Sequence, residues 1–555
     1  MKKTFISIIA TLLLTFAQAQ NNDALIFNAM QTELDRSKTG LKMPNMPAPF
    51  FINYIVAEGE MINITASLGS VVSSRYTPVV RSFWGRVMTE SNKLTNDGRY
   101  NNQGLSVALP IDDNLGQLRR DIWMASDMDY KKGLEALTAK KTALRKLNKP
   151  EETLLEYETA APIEMLKPVE FSQKVNKETL ETLCKTLSGL FVNYPKLYAS
   201  KVQLLANQSA FYNLTSEGTK TKQPLSHVVI KITAKVRAED GAVLSDYLEI
   251  CAADLSKLPT VEQLSATVNT FATELQAMGS AEAVNEYYSG PVLFEDAAVA
   301  DMFLETLLAQ DALIAYKKPV VGPFSTVTPR NIPVGRKLID TRFTVINHTQ
   351  MSEYNGQSLV GAYAVDGEGV VPAADQVLVE KGLLKSFLNN RIPTEFAPKS
   401  NGNNRIGTNP AYISTDVKPA VLEIQTTQGL SNPELRERLI NSAKEEGLSY
   451  AYIVRKLSGV IRIYQVDVAT GKETLMRSPE IAGIGIARLK RVDAVSADRY
   501  VENVVYTNAY DQSLNTEGYP MSIICPKSLL LQDIEINKST ANLEVKPSVM
   551  NPLER

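Results

Sequence analysis

Histidine and cysteine are scarce in this 555-residue chain. There are two histidines, His227 and His348, and three cysteines, Cys184, Cys251 and Cys525. Structural zinc takes four Cys/His ligands, and catalytic zinc takes three protein ligands plus water. No H-E-x-x-H, H-x-H or C-x-x-C spacing occurs, so no conventional zinc site can be assembled from sequence neighbours. His227, in Ser226-His227-Val228-Val229-Ile230, reads as a satisfied structural histidine on a strand. His348, in Ile346-Asn347-His348-Thr349, reads as a loop residue. The odd cysteine count permits one disulfide at most, and the wide separation favours buried free thiols. A G-x-S-x-G elbow, a P-loop and a strand-to-helix G-x-G-x-x-G are all absent. Lys and Arg total 59 against 61 Asp and Glu, a net charge of -2. That balance removes the electrostatic case for nucleic acid or an anionic membrane. Beyond the first twenty residues no uncharged apolar run reaches the ~20 residues a membrane span needs.

What is present is ordinary globular material, 44% hydrophobic and 22% charged, enough for a substantial core. The start reads as a secretory leader. Lys2 and Lys3 precede the apolar stretch Phe5 to Phe16, and Ala17-Gln18-Ala19 fits the small-x-small cleavage rule. Cleavage after Ala19 makes the mature chain periplasmic or otherwise extracytoplasmic, with no membrane span.

The remaining residues divide into an N-terminal α/β region at 20–148, a polar Pro-bearing linker at 149–175, a second part of the N-terminal domain at 176–288, and a C-terminal antiparallel β domain at 289–555. The patterning predicts a helix from Asn22 to Arg36 and strands at Phe51–Val56 and Ile62–Leu68 around a turn at Glu58-Gly59-Glu60. A third strand follows at Arg81–Met88 and an amphipathic helix at Leu118–Leu147. Helices are expected at Lys177–Phe191 and Val261–Tyr288. Strands are expected at Val202–Tyr212 and His227–Arg237, with Thr215-Ser216-Glu217-Gly218 turning between them. A helix at Asp296–Gln310 precedes short apolar runs, among them Leu359–Val365, Gln376–Val379, Leu383–Leu388, Val421–Gln425, Ala451–Lys456 and Val460–Val466. Such runs broken by Gly, Asn and Pro point to antiparallel sheet.

Three segments carry candidate chemistry. Glu295 and Asp296 open a helix after Gly290-Pro291-Val292-Leu293-Phe294, where acidic groups favour the helix dipole. Asp366-Gly367-Glu368-Gly369 is a Gly-flanked acidic turn that serves either as a plain turn or as a hard-oxygen cation site. Ser400-Asn401-Gly402-Asn403-Asn404-Arg405 is a polar loop whose amides could grip a peptide backbone. In this order, and with Leu378-Val379-Glu380-Lys381-Gly382-Leu383-Leu384-Lys385 between them, these segments resemble motifs of the TldD/PmbA metallopeptidase family. The resemblance runs from about Pro49 to the end.

In that family's zinc-bearing members a G-P-x-L-L segment leads into H-E-x-x-x-H, two zinc ligands around a general base. The register places Glu295 at the first His, Asp296 at the Glu and Ala300 at the second His. The family's third ligand, a Cys, falls in a loop similar to Asn515-Thr516-Glu517-Gly518, which has none. Cys525 lies beyond that loop and does not inherit the role. The resemblance implies an α+β fold and no zinc cofactor. It also implies peptide or unfolded polypeptide as partner, held by Asp366, Glu368, Asn401, Gly402, Asn403 and Arg405. Pairing would be with itself or with a zinc-bearing TldD-like relative. Glu295 and Asp296 are the candidate catalytic positions. Three functions stand open: a PmbA-like peptide-binding subunit or pseudopeptidase, a peptidase with altered metal or carboxylate chemistry drawing on Glu295, Asp296 and His348, and a non-enzymatic envelope interaction protein.

Overall fold

Alternating and β-branched residues dominate the first half, and they form unusually long strands. The structure, a computed structural model, describes residues 23–96, 104–148, 155–169, 174–309, 311–315, 331–507, 518–538, 549 and 551–553. The leader at 1–19 and loop residues 515–517 lie outside these. Residues 23–40 are helical, four residues past the expected end. A seven-stranded sheet is built on two long hairpins, Pro49–Ser67 with Ser70–Thr89 and Leu197–Thr215 with Lys220–Arg237. Val243–Ala252 extends it as an antiparallel edge strand on Lys220–Arg237. Thr215–Gly218 turns the second hairpin as expected.

The Glu58-Gly59-Glu60 turn is not there; one strand runs straight through it. The hairpin instead turns at Leu68 and Gly69, with φ of 47° and 79°. Gly59 has another reason to be glycine. A Cβ there would sit 2.3 Å from the Gln208 carbonyl oxygen on the neighbouring strand, so the residue permits a close backbone approach.

One face of the sheet is covered by helices. Leu118, Ile122 and Tyr130 of the helix Leu115–Lys146 pack with Ile26 and Met30 against Tyr54 and Phe83. Lys177–Gly189 and Val261–Ser280 cover the other end through Leu180, Leu187, Val268 and Phe271. The latter helix opens with a reciprocal Thr260/Gln263 capping box, a device that contributes about 1 kcal/mol. It ends eight residues before the expected Tyr288, because Glu282–Ala283 already joins the C-terminal sheet. The described part of the expected linker is also built in. Tyr157 is fully buried against Phe51, and Glu164–Leu166 pairs with Lys220–Arg237.

The second half holds a six-stranded and an eight-stranded sheet, mostly antiparallel. They share a core that includes Phe294, Phe303, Phe343, Ile424, Ile523 and Leu529. The α+β expectation holds. The expected strand at Leu359–Val365 is absent, its only neighbour being the short Gln357–Ser358 strand. The helix Asn432–Glu445 was not expected. Its signal was legible, since Ser431 and Glu434 form a capping box with Pro433 in the first turn. It covers the eight-stranded sheet with Leu435 and Leu439. This half sits on the helix-free face of the N-terminal sheet, where Ile55, Ala57 and Phe211 meet Ile406 and Ile413. All three cysteines are buried and free, as expected.

Candidate functional site

The strand Tyr288–Glu295 lies inside the eight-stranded sheet, parallel to Tyr450–Lys456 and antiparallel to Ser528–Lys538. Val292, Leu293 and Phe294 are fully buried. At Glu295 the apolar run stops and the chain emerges. Asp296 takes φ 53° and ψ -122° before the helix Ala297–Phe303 begins, a backbone conformation that costs a non-glycine residue on the order of 1–3 kcal/mol. The expected helix to Gln310 continues from Leu304 only as a π-helical turn to Ala309.

Glu295 and Asp296 point to different fates. Glu295 is 5% exposed. Its Oε2 accepts from Arg455 Nε at 2.9 Å and its Oε1 lies 3.6 Å from Arg436 Nη2. Glu473 closes the network, 2.8 Å from Arg455 and 2.5 Å from Arg436. Burial opposes the Arg455 charge, but Glu295 and Glu473 outweigh it and hold the guanidinium pKa above its ordinary value. Asp296 is 41% exposed at its side chain, 3.8 Å from Lys527. Burial, with Glu295 as a lesser contributor, raises its carboxyl pKa against the pull of Lys527.

Asp296 opens onto a cleft of about 1980 Å³ between the two halves of the molecule. One wall is the edge strand Val243–Ala252 of the N-terminal sheet. The other includes the strand Arg499–Tyr506 at the edge of the six-stranded sheet. Among the described residues each pairs on one side only, with Lys220–Arg237 and Tyr519–Pro526 respectively. Cross-domain ion pairs brace the cleft. Asp246, 3% exposed, accepts from Lys456 Nζ at 2.6 Å and from the Val460 N–H at 3.1 Å. Arg462 pairs with Glu274, and Arg477 reaches Asp240 at 2.7 Å.

The residues expected to grip a peptide are elsewhere and largely interior. Asp366 and Glu368 are 2% and 1% exposed. Asp366 accepts the N–H groups of Glu368, Val370 and Asn404. Burial, then the Glu368 charge, pushes its pKa up to about 7. Glu368 accepts from Arg86 Nη1 at 2.7 Å and from the Arg391 N–H at 2.8 Å. Asn401 accepts the Asn389 N–H and donates to the Phe387 carbonyl. Asn403 joins a buried amide network with Asn347 and Gln376. The Gly402 carbonyl accepts the Tyr363 hydroxyl at 2.6 Å. Arg405 donates to the carbonyls of Pro419 and Pro520 and lies over the Tyr363 ring. These groups are committed within the chain, and none lines the cleft.

His348 is the last residue of the strand Phe343–His348 rather than a loop residue, between Asp375 at 2.6 Å and Glu423 at 2.9 Å, and it does not line the cleft either. His227 is interior as expected, but neither ring nitrogen has a hydrogen-bond partner among the described residues. Burial lowers its pKa to about 3 and keeps it neutral. Reading the sequence missed Asp301, Glu249 and Glu502, three carboxylates that share the cleft. No local motif marks them.

Residues 288–538 match the family profile for the PmbA/TldA metallopeptidase C-terminal domain. The C-terminal part of the chain therefore belongs to the TldD/PmbA family. No curated protein sequence matches it. Its fold is similar to TldE from Thermococcus kodakarensis, at 14% identity and TM-score 0.56, over 92% of this chain and all of that one. It is also similar to two proteins described as candidate modulators of DNA gyrase. The one from Thermotoga maritima aligns at 12% identity and TM-score 0.57, over 91% of this chain and all of that one. The one from Bacteroides thetaiotaomicron aligns at 12% and 0.54, over 92% and 98%.

Glu295 and Ala300, which the resemblance sets at the family's zinc-ligand positions, do not make a zinc donor set. Zinc is held by Cys, His and carboxylate donors with three or four protein ligands. Position 295 carries a carboxylate already shared by two guanidinium groups. Position 300 is a fully buried alanine with no donor atom. Burial holds the Cys525 thiol pKa far above its ordinary value, and a thiol ligates zinc only as thiolate.

Proposed function

We propose that this TldD/PmbA-family protein is an exported, PmbA-like peptide-binding subunit, a pseudopeptidase that binds extended polypeptide in the cleft between its halves. It would act as a homodimer or beside a zinc-bearing TldD-like relative. The observation that carries this reading is Glu295 clamped between Arg455 and Arg436: at the first ligand position a salt bridge stands in place of a metal donor. The two singly paired strand edges at the cleft support a binding mode in which a peptide adds as an extra strand. Backbone hydrogen bonds would supply affinity and pockets the specificity. The interior polar cluster around Asp366, Glu368, Asn403 and Arg405 would then hold the cleft wall rather than the peptide.

Metal analysis and cleavage assays on the purified full chain test this. The expected result is no stoichiometric zinc, no cleavage of extended peptides, and measurable peptide binding that survives Glu295→Ala. Stoichiometric zinc released only by strong chelators would overturn it. A second reading, hydrolysis by carboxylate chemistry, is favoured by Asp296, whose strained backbone, exposure to the cleft and raised pKa suit an acid–base group. Peptide cleavage abolished by Asp296→Asn would favour this second reading over the first.

A further inference from the structure

We propose that the cleft contains a subsite for a cationic side chain, built by Asp301, Glu502 and Glu249, and that the protein therefore selects peptide segments bearing lysine or arginine. This rests on the peptide-binding reading above and adds the substrate class.

The three carboxylates come from three elements that meet only in the fold: the helix Ala297–Phe303, the edge strand Arg499–Tyr506 and the edge strand Val243–Ala252. All three residues line the same cavity. Glu502 Oε2 is sealed from solvent yet accepts no hydrogen bond among the described residues. A buried polar atom without a partner costs free energy, and a charged one costs more. Asp301 Oδ2 accepts the backbone N–H groups of Leu457 and Ser458 at 3.0 and 2.9 Å. Among the described residues neither Asp301 nor Glu502 forms a salt bridge. Glu249 is partly compensated, 3.0 Å from Lys231, and accepts the Val505 N–H at 3.0 Å.

The neighbouring cations are committed elsewhere. Lys456 Nζ is held by Asp246 and the Tyr247 carbonyl, each at 2.6 Å. Arg455 is bound to Glu295 and Glu473, and Lys418 to Asp416. Lys201 and Lys235 also line the cavity, but one strand across and four residues along from Lys231. A strand laid beside Val243–Ala252 or Arg499–Tyr506 would project alternate side chains into the space the carboxylates share. An ammonium or guanidinium arriving there gains charge-assisted hydrogen bonds and relieves repulsion between like charges.

The groups facing Glu502 are Asp301, Glu249, Lys456, Tyr500 and Cys525. Burial first, then the Asp301 and Glu249 charges, raise the Glu502 pKa to about 8, with Lys456 opposing. A bound cation would lower it, so binding near neutral pH should release a proton from the site.

The test uses the full chain and three blocked heptapeptides, identical except for a central Lys, Gln or Glu. Affinities are read by fluorescence anisotropy, and proton release by calorimetry in buffers of different ionisation enthalpy. We expect the Lys peptide to bind about tenfold or more tightly than the Gln peptide, the scale of one charge-assisted hydrogen bond, and the Glu peptide to bind weakest. Glu502→Gln should abolish both the Lys preference and the proton release. If that variant loses Gln-peptide binding as well, it is misfolded, and Asp301→Asn carries the same expectation. Equal affinity for Lys and Gln peptides overturns the subsite alone. Failure of all three peptides to bind overturns the peptide-binding reading and the subsite with it.

Discussion

Replacing Arg391 with alanine should loosen the contact between the two halves by several kcal/mol. The residue is 1% exposed. Its Nη2 pairs with Glu217 at 2.7 Å and its Nε donates to the Glu158 carbonyl at 2.7 Å. The guanidinium lies 4.6 Å from the Phe51 ring centroid and 4.5 Å from that of Tyr157. Burial opposes its charge, but Tyr157, Glu217 and Glu368 leave its pKa raised. Removing one partner of a buried ion pair costs about 3–5 kcal/mol, and a desolvated cation–π contact contributes about 2. The same atoms make both contacts, so the sums do not add, and about 4–5 kcal/mol is the working figure. Arg391→Met, which keeps much of the volume, should cost less than alanine by the size of the avoided cavity. Both tryptophans, Trp84 and Trp123, lie in the N-terminal half, so urea unfolding followed by their fluorescence reports that half, while far-UV dichroism reports both. Arg391→Ala should move the tryptophan transition to lower urea and separate it from the dichroism transition, since loss of the latch ends their cooperativity. A shift worth under about 1 kcal/mol, the range of exposed pairs, would refute the claim that this buried cluster holds the halves together.

Glu295→Ala should lower stability by about 2–3 kcal/mol, less than a fully orphaned pair because Glu473 still serves both arginines; thermal unfolding reads it. Ala300→His, which places a ligand type at the family's second zinc position, should cost about 1–3 kcal/mol by overpacking a fully buried site and should bring no zinc, as metal analysis would show. His348 supplies a pH signature. Burial works against its charge, but hydrogen bonds to Glu423 and Asp375 prevail and raise its pKa above 6.5. Its contribution is therefore complete below the unfolded value near 6.5 and is lost as pH rises through the folded value. His348→Gln should flatten the stability profile in that window. Asp129 behaves alike, since burial raises its folded pKa to about 7 from 3.8. The stability it lends is full below about 3.8 and gone above about 7, so Asp129→Asn should remove that decline.

How far the sequence could be read depended on whether the physical cause was local. The long strands and their turn at Thr215–Gly218 follow from period-two patterning and turn residues, which are properties of a few neighbours. Glu58-Gly59-Glu60 has turn composition too, yet the glycine answers to the Gln208 carbonyl on another strand, about which residues 58–60 say nothing. The polar loop Ser400–Arg405 likewise answers to distant residues. Its Asn403 amide is engaged by Asn347 and Gln376, which arrive from elsewhere in the chain. Asp301, Glu249 and Glu502 are single carboxylates in ordinary amphipathic stretches, and only the packing of a helix and two distant edge strands around one cavity brings them together.

Glu295 shows what closes this gap. Its place in a degenerate ligand motif suggested chemistry, but its partner Arg455 is 160 residues away. The link between them is the parallel register Tyr452↔Val292, Ile453↔Leu293, Val454↔Phe294. One step further along both strands sets Arg455 opposite Glu295. A carboxylate at the first ligand position whose strand partner carries a guanidinium has its charge answered within the protein. A carboxylate there facing an apolar residue across the same pair would not, and would remain free to bind a cation or move a proton. In this chain the residue opposite position 295, set by the strand register, therefore decides how the Glu295 charge is answered.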